Sequence, residues 1–248
     1  MSREGNREER IIHGKRNHFA TTKWTLILAA GKGSQDGARA AVAELCRSYW
    51  YPLYAHIRRL GYSKEDAEDL TQGFLANFLE KNPFPDLSPA NGRFRSYLLV
   101  SLKNFLANDW DKNRRIKRGG GVEILSLDWH NADERYQTQP VDHLSPDKLF
   151  DRAWAMTLLG RVLEKLAVMH AQTPWFEALK ICLTADRRLM DYSEVAENLT
   201  MSEGAVRVAV HRLRAQYREL LRTEIGETLV NQELVQEELN SLFQSFDS

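Results

Sequence analysis

Long stretches of helical periodicity alternate with two segments that no helix can cross, and this pattern directs the chain to an all-α fold. From about Ala38 to Leu60, Val42, Leu45, Tyr49, Leu53 and Ile57 recur at three- and four-residue steps, one apolar face of a helix. Pro52 lies inside and predicts a kink, because it deletes a backbone donor and crowds the preceding turn. Gly61 ends this helix and Ser63 starts the next, with Glu65 and Asp66 facing the positive end of its dipole. That second helix reaches about Lys81, with Leu70, Phe74 and Phe78 on one stripe and Glu68, Asp69 and Gln72 polar. The prolines of NPFPDLSPANG (82–92) then demand a loop. A third helix is predicted from about Arg93 to Arg114, with Phe94, Leu98, Leu102, Phe105 and Leu106 inward.

Residues 119–146 form the second break. They open on three glycines, close on Ser145-Pro146, and read as a solvated acidic tether carrying Glu123, Asp128, Asp133, Glu134 and Asp142 against Arg135. Helical patterns return at about 147–170, 174–185, 193–199 and 202–222, with a weaker acidic segment at 230–246. VEILSL (122–127) is the one candidate strand, and no internal repeat is visible.

A zero net charge, from 34 basic and 34 acidic side chains, conceals strong segregation. Arg93–Arg118 holds eight basic residues against Asp109 and Asp111; Arg207–Arg222 holds five arginines against Glu219. Residues 223–248 contain six acids and no Lys or Arg. Two basic blocks and an acidic tail direct attention to nucleic acid. Cys46 and Cys182 have no CxxC or His-rich company, so neither a disulfide framework nor a zinc site is expected. The N-terminal segment is charged and lacks a signal-peptide core, and no stretch has the roughly 20 apolar residues of a membrane helix, so a cytoplasmic protein with no membrane partner is expected.

Enzyme chemistry finds no support. AGKGS (30–34) fails as a phosphate-binding loop, because Leu26 and Gly33 stand where Gly and Ser/Thr are required. The histidines form no i,i+4 pair around a glutamate, no Ser/His/Asp set stands out, and neither a metal nor a cofactor is expected.

The strongest local signal is DYSEVAENLTMSEGAVRVAVHRLRAQYRELL (191–221). Ser193 is the expected cap of a short helix bearing Val195, Ala196 and Leu199. After Thr200-Met201-Ser202, Ser202 caps a second helix with Val206, Val210, Leu213 and Tyr217 inward, the layout of a helix-turn-helix. Such a unit presents the start of its second helix to the major groove. Ser202 suits a phosphate, Gly204 and Ala205 permit close approach, Arg207 and His211 face base edges, and Arg212, Arg214 and Arg218 suit flanking phosphates. Thr200 occupies the position where a turn glycine would adopt positive φ most cheaply.

From about Ala38 to Leu221 the chain resembles the extracytoplasmic-function (ECF) group of RNA polymerase sigma factors. YWYPLYAHIRR (49–59, from Tyr49) resembles that group's first region-two helix, and DAEDLTQGFLANF (66–78) its polymerase-gripping helix. The resemblance implies core polymerase binding by Asp66, Glu68, Asp69, Leu70, Gln72 and Phe74. GRFRSYLLVSLKNFLANDWDKNRR (92–115) resembles the promoter-melting helix. That match implies −10 contacts by Phe84, Arg93, Arg95, Asn104, Asn108 and Trp110, with Lys112, Arg114, Arg115, Lys117 and Arg118 on phosphates. Tyr192–Leu213 resembles the unit that reads the −35 element, although its preceding PWFEALKICLT departs from the family's usual entry.

The implied organisation is an arm (1–23), sigma region two (24–118), a flexible acidic linker (119–146), sigma region four (147–222) and an acidic tail (223–248). The implied partners are core RNA polymerase and promoter DNA, with room for an anti-sigma factor or another regulator. The competing reading is a helix-turn-helix transcriptional regulator with a helical sensor domain, which accounts for 191–221 but not for the acidic helix, proline loop and basic helix before it.

Overall fold

The computed structural model describes residues 35–80, 93–113, 127–129, 131–138, 144–184, 191–229 and 231–246. The N-terminal arm, the proline-rich loop and most of the candidate strand fall outside them. Among the described residues the regular structure is helical: α1 (Gln35–Arg59), α2 (Lys64–Glu80), α3 (Phe94–Asn113), α4 (Ala132–Gln137), α5 (Pro146–Met169), α6 (Phe176–Thr184), α7 (Tyr192–Leu199), α8 (Glu203–Gly226) and α9 (Val235–Gln244). The all-α expectation holds.

Local chemistry sets the helix ends. Gly61 adopts φ 97° after α1. Ser63 and Asp66 then cap α2 reciprocally: the Asp66 amide donates to Ser63 Oγ at 3.0 Å, and that hydroxyl donates to the Asp66 carboxylate at 2.8 Å. Ser145 accepts from the Lys148 amide at 3.3 Å with Pro146 opening α5, a position where its missing N–H costs nothing. The cap of α7 is Asp191, not Ser193, whose amide donates to the Asp191 carboxylate at 2.9 Å.

Two apolar cores organise these helices. The smaller joins Leu166 of α5, Phe176 and Leu179 of α6, Ala196 of α7, and Val206 and Val210 of α8. The larger unites α1, α2 and α3 with Leu149, Phe150, Ala153 and Val162 of α5, Leu221 and Ile225 of α8, and Leu239 and Leu242 of α9. α1 and α5 form the most extensive helix pair, with the rings of Tyr49 and Phe150 stacked at 6.5 Å. Side chains from 149–162 and 221–242 thus pack into the same core as α1, α2 and α3. α5 and α8 each run unbroken through both cores. Arg161 joins Glu44 of α1 at 2.7 Å and approaches Glu224 of α8 at 3.9 Å, while Lys165 also pairs with Glu224.

The described part of the acidic linker packs against α1 and α5. Trp129 meets Trp50 edge-on at 5.2 Å. Asp133 accepts from Tyr54 at 3.1 Å and pairs with Arg58 at 3.2 Å. Arg135 lies 3.7 Å from the centre of the Tyr51 ring and donates to Thr157 at 2.9 Å. Asp133 and Arg135 are thus matched against α1 and α5.

Candidate nucleic-acid interface

Asp191 and Ser202 cap the starts of α7 and α8, and the turn between these helices is made by Thr200. Its backbone is left-handed, φ 54° and ψ 39°, and the Met201 amide donates to the Ala196 carbonyl at 3.0 Å. That bond closes the end of α7 as a glycine normally would. Ser202 accepts from the Ala205 amide at 3.2 Å and begins α8. Val206, Ala209, Val210 and Leu213 are buried beneath that helix, and this fixes the opposite face outward.

On that outer face Ser202, Gly204, Ala205, Arg207, His211, Arg212 and Arg218 are all exposed. Arg207 is held in place: it pairs with Glu203, and its guanidinium lies 4.7 Å from the centre of the Tyr192 ring. Arg214 differs from its neighbours. It is half-buried and donates twice to the Cys182 carbonyl, at 3.2 and 2.6 Å, so it ties α8 to α6 instead of facing outward. The sequence reading missed Val208, which is 51% exposed between Gly204 and Arg212. Its place one turn beyond Gly204 on the outward stripe is the signal that could have found it.

On α3 the expected contacts divide sharply. Asn104 and Asn108 are exposed together with Lys103. Trp110 and Lys112 lie in the last turns of the helix, while Phe84, Arg114, Arg115, Lys117 and Arg118 lie outside the described residues. Arg95 is the clear correction. Only 6% exposed, it donates to Glu238 at 2.5 and 3.1 Å and to Ser241 at 2.8 Å, pairs with Asp151, and stacks 4.6 Å from the Trp154 ring centre. Arg93 pairs with Glu237 and with Glu238, the latter at 3.0 Å. The acidic tail thus covers the start of the basic helix in this structure.

On α2, Asp66 and Asp69 are exposed, while Glu68, Leu70 and Gln72 are half-buried. Phe74 corrects another expectation: it is buried against Phe78 and Phe105, at 5.7 and 5.6 Å between ring centres, and offers a partner no surface. Its position between Thr71 and Phe78 on the inward stripe accounts for this. Glu68 Oε1 is buried with no hydrogen-bond partner, and burial pushes its carboxyl above the usual range despite Lys64 nearby. Both cysteines are buried and unpaired with each other, and burial raises the Cys46 thiol to about 12.

No family model and no solved structure matches the chain. Among curated proteins, it is 26% identical over 186 residues to the ECF RNA polymerase sigma factor SigE of Mycolicibacterium smegmatis. The match takes in 75% of this chain and 63% of that relative, so the chain spans less than two thirds of the relative's length. The chain is thus distantly similar to an ECF RNA polymerase sigma factor.

Proposed function

We propose that the chain is a sigma factor that binds core RNA polymerase and directs it to start transcription at promoters. The observation that carries this reading is the outer face of α8. A serine-capped helix behind a tight turn presents Gly204, Ala205, His211, Arg212 and Arg218 to solvent, while its other face is held by a core. In this reading the start of α8 enters the major groove at the −35 element: His211 and Arg207 approach base edges, and Arg212 and Arg218 neutralise phosphates. Asn104 and Asn108, followed by Trp110 and Lys112, carry the −10 contacts, where an extruded base needs a polar or aromatic surface to receive it. The exposed carboxylates Asp66 and Asp69 supply the anionic face for polymerase. The named activity of the SigE relative supports the same reading. A cytoplasmic location follows from the partners.

Run-off transcription with purified core polymerase across genomic fragments tests it. Discrete transcripts that require the added chain are expected; unchanged core transcription overturns the proposal. Replacing Arg207→Ala with His211→Ala should abolish promoter choice and leave polymerase binding intact. Charge reversal at Asp66 and Asp69 should do the converse.

A further inference from the structure

Two residues on the outer face of α8 weaken a helix, and nothing in the fold requires either. Gly204 does not use a positive φ, and a Cβ built on it would meet nothing within 4 Å. Alanine there would be the better helix former. Val208 is β-branched, which restricts its side chain against the preceding turn, yet it is 51% exposed and so gains little from packing.

Their placement is central. Val206 and Val210, two positions to either side of Val208, are both buried. At about 100° per residue each points about 160° away from it, so Val208 marks the middle of the outward face. Gly204 and Arg212 stand one turn before and after it, with His211 beside them, all exposed. Arg207 pairs with Glu203 and lies over the Tyr192 ring, which holds its charge to the α7 side of this strip.

A base edge under Val208 meets two methyl groups that carry neither donor nor acceptor. A polar edge pressed there would lose water without gaining a partner. In the major groove one base presents an apolar group, thymine through its C5-methyl. Gly204 lets that contact close, because it has no side chain to hold the helix off the duplex.

Resting on the sigma-factor reading, we infer that Val208 is a specificity-determining residue whose methyl groups pack on the C5-methyl of one thymine in the −35 element, with Gly204 permitting the approach. His211 and Arg207 read neighbouring positions by hydrogen bonds, whereas this one is chosen by shape and desolvation. Cytosine is refused there because it lacks the methyl, and purines because they present polar edges.

The test uses core polymerase, the full chain and a promoter obtained by run-off transcription. Each thymine of its −35 element is replaced singly by deoxyuridine, which keeps every hydrogen-bonding group and removes only the methyl. Equilibrium binding of the complex to each duplex is measured at one fixed salt concentration. At one position deoxyuridine should weaken binding about fourfold, the worth of about one methyl group withdrawn from apolar contact. With Val208→Ala, thymine and deoxyuridine at that position should bind nearly equally, while the other positions respond as in the unmodified chain. Val208 is exposed and alanine favours a helix, so this variant keeps the fold. Insensitivity of the unmodified chain at every thymine overturns the inference, as does a methyl effect of undiminished size in Val208→Ala. Either result leaves the sigma-factor reading standing, because the transcripts are still made. If no transcript requires the chain, both fall.

Discussion

Arg95 and Glu238, separated by 143 residues, form a bidentate pair with N–O distances of 2.5 and 3.1 Å beneath the surface where α3, α5 and α9 meet. Asp151 and Ser241 complete the shell around the guanidinium, and Trp154 covers one side of it. Arg95→Ala should therefore destabilise the protein by about 3–5 kcal/mol, through the buried carboxylate left behind. Urea denaturation measures this. A loss of stability within a few tenths of a kcal/mol, with a loss of DNA affinity instead, would return Arg95 to the DNA surface.

Thr200 holds a left-handed conformation that a β-branched residue adopts at a cost. Thr200→Gly should stabilise the protein by about 1 kcal/mol, since glycine meets no Cβ penalty there. A higher urea midpoint at unchanged slope is the expected result.

Glu68 predicts a pH dependence. Its carboxyl sits above the ordinary value of 4.5, so over the interval between the unfolded and folded values the native chain holds the extra proton. Stability from this group is thus lost as pH rises through that interval. Glu68→Gln should raise the melting temperature at neutral pH, and the gain should vanish well below pH 4.5. If Glu68 also touches polymerase, the same variant should bind it more weakly while being more stable.

His56 runs the other way. Its Nδ1 lies 3.0 Å from the Pro146 carbonyl and its Nε2 is buried without a partner. Burial is the main reason its folded value lies below 6.5. The neutral ring with the proton on Nδ1 fits this site, and charging Nε2 would add an unpaired N–H. Stability from this contact is complete above pH 6.5 and is lost as pH falls below it. Thermal melts from pH 7.5 to 5.5 should show this fall, and His56→Phe should flatten it.

The α8 arginines should separate by role. Arg212→Ala should weaken duplex binding and lower the salt slope by about one ion, as loss of a phosphate contact does. Arg214→Ala should instead destabilise the packing of α8 on α6 by about 1–3 kcal/mol, because the Cys182 carbonyl loses both its bonds from that side chain. Equal salt slopes for the two variants would contradict this division.

The burial of Arg95 and Glu238 was partly legible. Arg95 shares the stripe of Leu98 and Leu102, and Glu238 that of Val235, Leu239 and Leu242, so each is a charge written into an apolar face. Phe74 on the stripe of Phe78 is a similar case. Periodicity names the covered face of a helix without naming what covers it, and basic composition does not distinguish an arginine facing DNA from one facing its own tail.

The boundary between α1 and α2 and the starts of α5 and α8 were determined by the sequence alone, because Gly61, Ser63, Ser145-Pro146 and Ser202 act through bonds to neighbours a few residues away. So was the outward face of α8, which follows from the spacing of Val206, Val210 and Leu213. The union of α5 with α1, the packing of Trp129 and Asp133 against α1, and the placement of α9 over α3 were decided by tertiary structure. Each depends on surfaces far apart in the chain fitting together, a relation that no local window of residues contains.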